Sequence, residues 1–351
     1  MKALIGMSGG VDSSVAALLM QQHGFDCIGA TMRLLAPEAD GSCCSIDDVE
    51  DARSVAFRLG MPFYVFNFSR EFREQVMDRF VRCYRNGLTP NPCIECNRHL
   101  KFDKFLQRAT ELGCDCIVTG HYARIARVGS RLCLQKAVDE SKDQTYFLYT
   151  MTQEQLRQTR FPLGELTKAQ ARQIAAENGF INARKRDSQD ICFVPDGDYM
   201  AFLESYTGEQ GVPGDFLDEN GRIVGTHRGA AGYTLGQRKG LGLAMGTPVY
   251  VTDKDMAANT VTVGPEHSLF RRTLVAGDMN WMACEAPTKP IRCKAKARSR
   301  MAEQWATVYP PENGRCRVVF DEPQRAMTPG QAVVLYDGDL VLGGGTITEV
   351  V

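Results

Sequence analysis

Lys2-Ala-Leu-Ile-Gly-Met-Ser-Gly-Gly-Val-Asp-Ser-Ser14 runs from a short apolar stretch straight into a glycine- and serine-rich turn, and Val11 to Gln22 then carries apolar positions at helical spacing. A strand that ends in such a turn and re-enters as a helix is a βα unit. Adjacent glycines let backbone N–H groups approach an oxyanion, serine hydroxyls donate hydrogen bonds, and the free N–H groups and dipole of a helix start favour negative charge. A plain βα turn needs none of these, so Gly6, Met7, Ser8, Gly9, Gly10, Val11, Asp12 and Ser13 read as a phosphate cradle. No lysine follows the glycines as in a Walker A loop, and the G-x-G-x-x-G spacing of a dinucleotide fingerprint is missing. Asp12 suits Mg²⁺ beside a phosphate, because that hard cation prefers carboxylate and phosphate oxygens.

Outward from this loop, apolar runs alternate with amphipathic stretches: Asp26 to Met32, Asp47 to Leu59, Phe63 to Asn67 and on to Arg85, Lys101 to Leu112, Cys116 to Thr119, and Thr167 to Asn178. That βαβα order predicts a doubly wound parallel sheet with its ligand at the carboxyl ends of the strands. From about residue 196 the texture becomes glycine-rich and strand-poor, as in GVPGDFLDENGRIVG, and after about 271 it becomes strand-like with turn signals PENG, TPGQ and YDGD. The expectation is an α/β domain over 1–195, a small glycine-rich central domain over 196–270, and a C-terminal antiparallel β-barrel over 271–351. At 351 residues and 44% hydrophobic content, two or three cores are affordable. A net charge of -1 excludes wholesale basicity, so any nucleic acid must be held by local patches. No run reaches the roughly 18 apolar residues of a membrane span, and no signal-peptide pattern opens the chain, which reads as cytoplasmic with no membrane partner.

The 13 cysteines divide by context. Cys27, Cys114, Cys116, Cys133, Cys284, Cys293 and Cys316 sit in apolar or alternating runs and read as small core residues. Cys93 and Cys96 lie in the Pro-punctuated LTPNPCIECN, expected as a loop before a helix starting near Asn97. A thiol beside a helix start and next to Arg98 and Lys101 is expected to have a lowered pKa. Cys192 follows the basic run Arg184, Lys185, Arg186 in a polar loop. A C-x-x-C pair alone is ambiguous between redox and metal chemistry, but with a phosphate loop and a third polar-loop cysteine it points to catalysis. Cys83 carries no such context, and Cys43 and Cys44 read as incidental. In Cys293-Lys-Ala-Lys-Ala-Arg-Ser-Arg300 the cations Lys294, Lys296, Arg298 and Arg300 alternate, which on a strand would place all four on one face as a phosphate-binding stripe.

SGGVDS resembles the PP-loop of ATP pyrophosphatases, which implies ATP with Mg²⁺ on the pyrophosphate and an adenosine pocket lined by Met32 and Gly120. With TPNPCIECN, LKF, TGHYAR, SKDQTYFLY, FPLGELTK, DSQDICF, TLGQRKGLG, FDEP, TPGQ and LGGGTI, nearly the whole chain resembles the bacterial tRNA-specific 2-thiouridylases. That resemblance implies adenylation of the C2 oxygen of wobble uridine 34 in tRNAs for Lys, Glu and Gln, followed by sulfur transfer. It implies Cys96 as nucleophile, Cys192 as persulfide carrier, and a sulfur donor such as a cysteine desulfurase or a sulfur-relay protein. It also implies contacts of Asn91, Pro92, Cys93 and His121 with the flipped base of the anticodon loop, and of Lys142, Asp143, Gln144, Arg298, Ser299 and Gln331 with tRNA. Cys93 stands where a well-known branch of that family has Asp, so Cys93, Cys96 and Cys192 could ligate a [4Fe-4S] cluster. That reading is preferred over a persulfide and disulfide route with Cys93 as bystander. A PP-loop ligase acting on a small metabolite would leave the cysteines unexplained. A non-catalytic metal-binding RNA protein would leave the phosphate loop without a use.

Overall fold

The computed structural model describes residues 1–35, 46–185, 191–194 and 197–351. Cys43, Cys44 and Arg186 lie outside the described residues. Five parallel strands form the first sheet: β1 (Lys2–Gly6), β2 (Asp26–Arg33), β3 (Phe63–Asn67), β4 (Cys116–Val118) and, after a hairpin of β5 (Arg124–Val128) and β6 (Arg131–Gln135), β7 (Thr159–Arg160). Their order is β3-β2-β1-β4-β7. The strand order reverses beside β1, so the phosphate loop leaves the sheet at the switch point of a doubly wound fold, as its sequence predicted. Ala3, Ile5, Val15 and Ala16 fill one face of this sheet, while Leu4, Ile28, Phe72 and Phe105 fill the other.

Two long helices carry much of that second face. The helix 69–85 widens to a π turn at Arg73–Met77, and the helix 92–111 does so at Asn97–Lys104. The latter starts five residues before the expected position. Asn91 caps it, its side-chain oxygen accepting from the Cys93 N–H at 3.1 Å, and Pro92 sits at the first helical position, where its missing N–H costs nothing. The helix Lys168–Glu177 begins with a capping box between Thr167 and Gln170.

The central unit is richer in strands than its glycines suggest: β8 (Gly214–Leu217), β9 (Ile223–His227), β10 (Tyr250–Asp255) and β11 (Thr260–Gly264) pair in the order β10-β11-β8-β9. Several glycines there are demanded by close packing; a Cβ on Gly225 would lie 2.4 Å from Leu243. The barrel follows: β12 (Phe270–Trp281), β13 (Ile291–Lys296), β14 (Gln304–Val308), β15 (Cys316–Arg325), β16 (Ala332–Asp337) and β17 (Leu340–Val350). β12 pairs with both β15 and β17, which closes the six strands. The hairpin β5–β6 then joins the outside of the barrel through Leu340 and Gln135. Tyr146 and Tyr149 of the first unit share a buried cluster with Ala332, Val334 and Tyr336 of the barrel. Of the core-like cysteines, Cys27, Cys116, Cys133, Cys293 and Cys316 are buried, while Cys114 and Cys284 are half-buried. Burial pushes the Cys27 thiol up to about 11 and the Cys293 thiol up to about 12, which makes both inert near neutral pH.

Candidate functional site

The phosphate loop is held by contacts that only glycine permits. Gly9 has φ +72°, and a Cβ there would lie 2.2 Å from the Asp48 carbonyl oxygen. A Cβ on Gly120 would lie 2.8 Å from the Ser13 nitrogen, so TGHYAR presses its backbone against the loop. Ser13 Oγ accepts from the Ser8 N–H at 3.1 Å and donates to the Gly10 carbonyl at 3.0 Å. Thr31 donates to the Met7 carbonyl at 2.7 Å. The buried Asn182 donates to the Gly9 carbonyl and to Ser14 Oγ, both at 2.9 Å. Asp12 is engaged on both oxygens: Lys168 Nζ lies 2.8 and 2.7 Å from them, and the Tyr122 hydroxyl donates to Oδ1 at 2.9 Å. Asn182, Lys168 and Tyr122 escaped the sequence reading. The last two lie in FPLGELTK and TGHYAR, stretches that carry the family resemblance.

A cavity of about 510 Å³ opens from this loop. Gly6, Met7, Ser8, Gly10, Val11, Asp12 and Ser13 line it, as do Met32 and Gly120, whereas Gly9 is not part of the lining and shapes the turn. Pro92, Cys93, Cys96 and Cys192 line the same cavity, together with His121, Lys142 and Gln144. Cys96 is buried, Cys192 half-buried and Cys93 exposed. The crowded wall raises the Cys93 thiol's pKa, opposed by Lys101, which corrects the expectation of a lowered value. Since water reaches the residue, that desolvation is weaker than the mass of protein around the sulfur alone implies. His121 is held neutral, well below its ordinary range, by burial and by the Lys101 ammonium. Lys101 Nζ lies 3.5 Å from His121 Nε2 and can only donate, so Nδ1 carries the proton and donates to Thr119 Oγ1 at 2.7 Å.

The phosphate loop and the three thiols thus share one chamber, and the helix cap beside Cys93 is a local device. Replacing Asn91 with Ala removes it; the expected loss is about 1 kcal/mol of stability in urea unfolding, with faster alkylation of Cys93. Unchanged unfolding and alkylation would show that the cap does not hold this turn.

Among the described residues no group of three or more His, Cys, Asp or Glu side chains is arranged to hold a metal ion. Cys93, Cys96 and Cys192 share the chamber without forming such a ligand set. Asp143 turns inward, accepting from the Ala137 N–H at 3.1 Å and from the Thr145 hydroxyl at 2.6 Å, and burial raises its pKa. Arg298, Ser299 and Gln331 lie away from this chamber, where the barrel meets the loop before Asn91: Gln331 Nε2 donates to the Thr89 carbonyl at 2.9 Å.

The four-cation stripe does not form. β13 ends at Lys296, and Arg298 folds inward to donate to the Leu235 carbonyl at 3.0 Å and Thr328 Oγ1 at 2.6 Å. Lys296 lies 3.8 Å from Glu303 and over the Tyr336 ring. Lys294 remains on the outer face, over the half-exposed Trp305. Alternation in sequence specified a face only as long as the strand lasted.

Residues 1–196 match the family model described as the tRNA methyl transferase HUP domain, 200–265 the tRNA methyl transferase PRC-barrel domain, and 271–347 the aminomethyltransferase beta-barrel domain. The chain is similar to the tRNA-specific 2-thiouridylase MnmA of Symbiobacterium thermophilum, 50% identical over 361 residues that cover 100% of this chain and 93% of the relative. It is also similar to that of Acetivibrio thermocellus, 50% identical with 99% of each chain covered. The MnmA of Clostridioides difficile is 47% identical, covering 99% of this chain and 98% of the relative. With identity of this order along the full length of both partners, the chain belongs to the tRNA-specific 2-thiouridylase family.

Proposed function

We propose that the protein is an ATP-dependent sulfurtransferase that converts uridine 34 of tRNA to 2-thiouridine in the cytoplasm. The observation that carries this reading is the single chamber lined both by the phosphate loop and by Cys93, Cys96 and Cys192. The division into units 1–195, 196–270 and 271–351 belongs to the same proposal, with the barrel and central unit holding the tRNA.

A uracil C2 carbonyl does not exchange oxygen for sulfur directly, because oxide is a very poor leaving group. Attack of O2 on the α-phosphorus of ATP forms the O–P bond, breaks the bond to pyrophosphate, and makes AMP the leaving group. Mg²⁺, when bound, neutralises charge on the departing pyrophosphate. Asp12 would orient that ion, and Ser8, Ser13 and the loop N–H groups would hold phosphate oxygens. Met32 and Gly120 would flank the adenosine. Cys192 would carry sulfur as a persulfide, supplied by a cysteine desulfurase or relay protein. Its outer sulfur attacks C2 and expels AMP; the Cys96 thiolate then attacks the Cys192 sulfur, releasing 2-thiouridine and leaving a Cys96–Cys192 disulfide that an external thiol reduces. Anticodon loops allow a base to leave its stack cheaply, and Asn91, Pro92, Cys93 and the neutral His121 would meet it there. Lys142, Gln144, Arg298, Ser299 and Gln331 would contact the tRNA, with Asp143 bracing their loop. Because the three thiols form no ligand set, no step is routed through an iron–sulfur cluster.

Incubation with ATP, a persulfide donor and unmodified tRNA, followed by nucleoside analysis, should yield 2-thiouridine. Protein purified without oxygen should be active with less than about one iron per chain, and Cys93→Asp should keep at least about half the activity. Roughly four irons per chain that are lost with activity in Cys93→Ala would replace the persulfide route by the cluster.

A further inference from the structure

Lys168 opens the helix Lys168–Glu177 at its first position. A cation there faces the positive end of the helix dipole, and no acidic residue in that turn offsets it. The helix itself gains nothing from a lysine at this point, and a residue that breaks a local rule is a candidate for function. Its main chain is fixed, because the Thr167–Gln170 capping box sets the helix start and the Lys168 N–H donates to Asp139 Oδ2 at 3.0 Å. What remains adjustable is the four-carbon stem and its ammonium.

Lys168 lines the same chamber as the phosphate loop, and only 11% of its side chain is exposed. Nζ lies 2.8 and 2.7 Å from the two oxygens of Asp12, so one point charge spans both. A cation shared between the loop and a phosphate has to bind at those oxygens, since Asp12 is the one carboxylate between Gly6 and Ser14. Asp12 does not depend on Lys168 for its place. The Tyr122 hydroxyl donates to Oδ1 at 2.9 Å, and Gly120 packs so closely that a Cβ on it would lie 3.1 Å from the Asp12 Cβ. Lys185, another lysine of the lining, is engaged by two carboxylates outside the loop, Asp48 and Asp51. An ammonium and a dication cannot both occupy the Asp12 oxygens, because like charges that close repel. Once displaced, the ammonium has three donors on a flexible stem, and a phosphate chain in the cradle is an anion within the same chamber.

We propose that Lys168 is a further working residue of the nucleotide site: its ammonium holds the cation position on Asp12 while the cradle is empty, and moves to an oxygen of the leaving pyrophosphate once that position is filled by Mg²⁺. The inference rests on the ATP reading above and adds to it an exchange of cations. As the bond from the α-phosphorus to pyrophosphate breaks, its electron pair stays on the departing oxygen, and Lys168 Nζ donates a hydrogen bond to the charge that grows there. No proton leaves the lysine.

The test uses the full chain without tRNA. With nucleotide absent, Lys168→Met removes a built-in competitor, so Mn²⁺, a paramagnetic substitute for Mg²⁺, should bind at least about fivefold tighter than to the wild type. At saturating Mg²⁺ the same variant should bind pyrophosphate at least about tenfold more weakly, with adenosine 5′-monophosphate affinity changed less than about twofold. The two shifts have opposite signs, whereas removing a lysine that merely braces Asp12 would weaken both. If the variant does not fold, the wild type carries the test. Mg²⁺ alone should then speed acetylation of Lys168 by acetic anhydride at least about threefold, and added pyrophosphate should slow it again, read by peptide mass spectrometry. Mn²⁺ binding unchanged or weakened in Lys168→Met, unchanged pyrophosphate affinity, or acetylation indifferent to both ligands overturns the inference alone, provided the wild type binds pyrophosphate and the monophosphate. Wild-type protein that binds neither at about 10 mM overturns the ATP site itself, and this inference with it.

Discussion

Replacing Asp12 with Ala is expected to slow tRNA-dependent pyrophosphate release by about a thousandfold, roughly 4 kcal/mol of barrier, while tRNA affinity changes by less than about twofold. The side chain is 31% exposed at the cradle and contacts Lys168 and Tyr122, both from the first unit. Its loss removes the only carboxylate within the loop and the ion pair that Asp12 makes with the ammonium of Lys168, 11% exposed. Part of the effect should therefore appear as stability, about 1 to 3 kcal/mol once the pair's partial exposure is allowed for. Asp12→Asn keeps the shape and the Tyr122 contact, and should lose nearly as much rate with less stability. Pyrophosphate release at the normal rate in either variant would remove Asp12 from the chemistry.

Cys192→Ser should separate the two halves of the reaction. Pyrophosphate is still released, about one per bound tRNA in the first turnover, whereas 2-thiouridine falls by at least about a thousandfold, because a hydroxyl cannot carry persulfide sulfur. Cys96→Ser should also block product, but with the sulfur trapped: labelled sulfur then remains on the protein until a reductant is added. Rapid quench with nucleoside analysis and counting of protein-bound label reads both. Equal activity of Cys192→Ser and the wild type, or loss of pyrophosphate release along with product, would contradict the assignment of sulfur transfer to this thiol.

Legibility in the sequence followed how local the physics is. The phosphate loop could be read because strand end, turn and helix start are contiguous in Gly6 to Ser14, and each residue's use follows from its own backbone or hydroxyl. Lys168 and Asn182 reach the same loop from more than 150 residues away, and only the packing of their helix and turn against Val11–Gln22 brings them there. The early helix start at Pro92 is written in Asn91-Pro92, an N-cap followed by N1, whereas closely spaced prolines by themselves suggest a loop. Lys294 and Lys296 were placed on one face correctly, and what the pattern could not supply was the end of β13 or the distant Glu303 that pairs with Lys296. The hairpin β5–β6 shows the same limit. Two short strands around Gly129-Ser130 are recognisable as a hairpin, yet their sheet partner, Leu340, lies 205 positions away by the numbering of the pair.

That hairpin bears on how the chain is made. The barrel's outer surface at β16 and β17 is finished by residues from the first unit: Gln135 on the strand edge, Lys136 in a largely buried ion pair with Glu303 at 2.6 Å, and Tyr146, whose hydroxyl donates to the Ala332 carbonyl at 2.8 Å. On a ribosome the first unit emerges earlier, so it can fold as a template before the barrel arrives. A fragment of residues 271–351 lacks that template and would present Tyr336 and Val334, which pack against Tyr146 and Tyr149 in the full chain, to water as an apolar patch on the barrel's outer face. Such a fragment should accumulate as aggregate when synthesised alone and become soluble when the first unit is co-expressed, making the barrel a client of the enzyme's own N-terminal half.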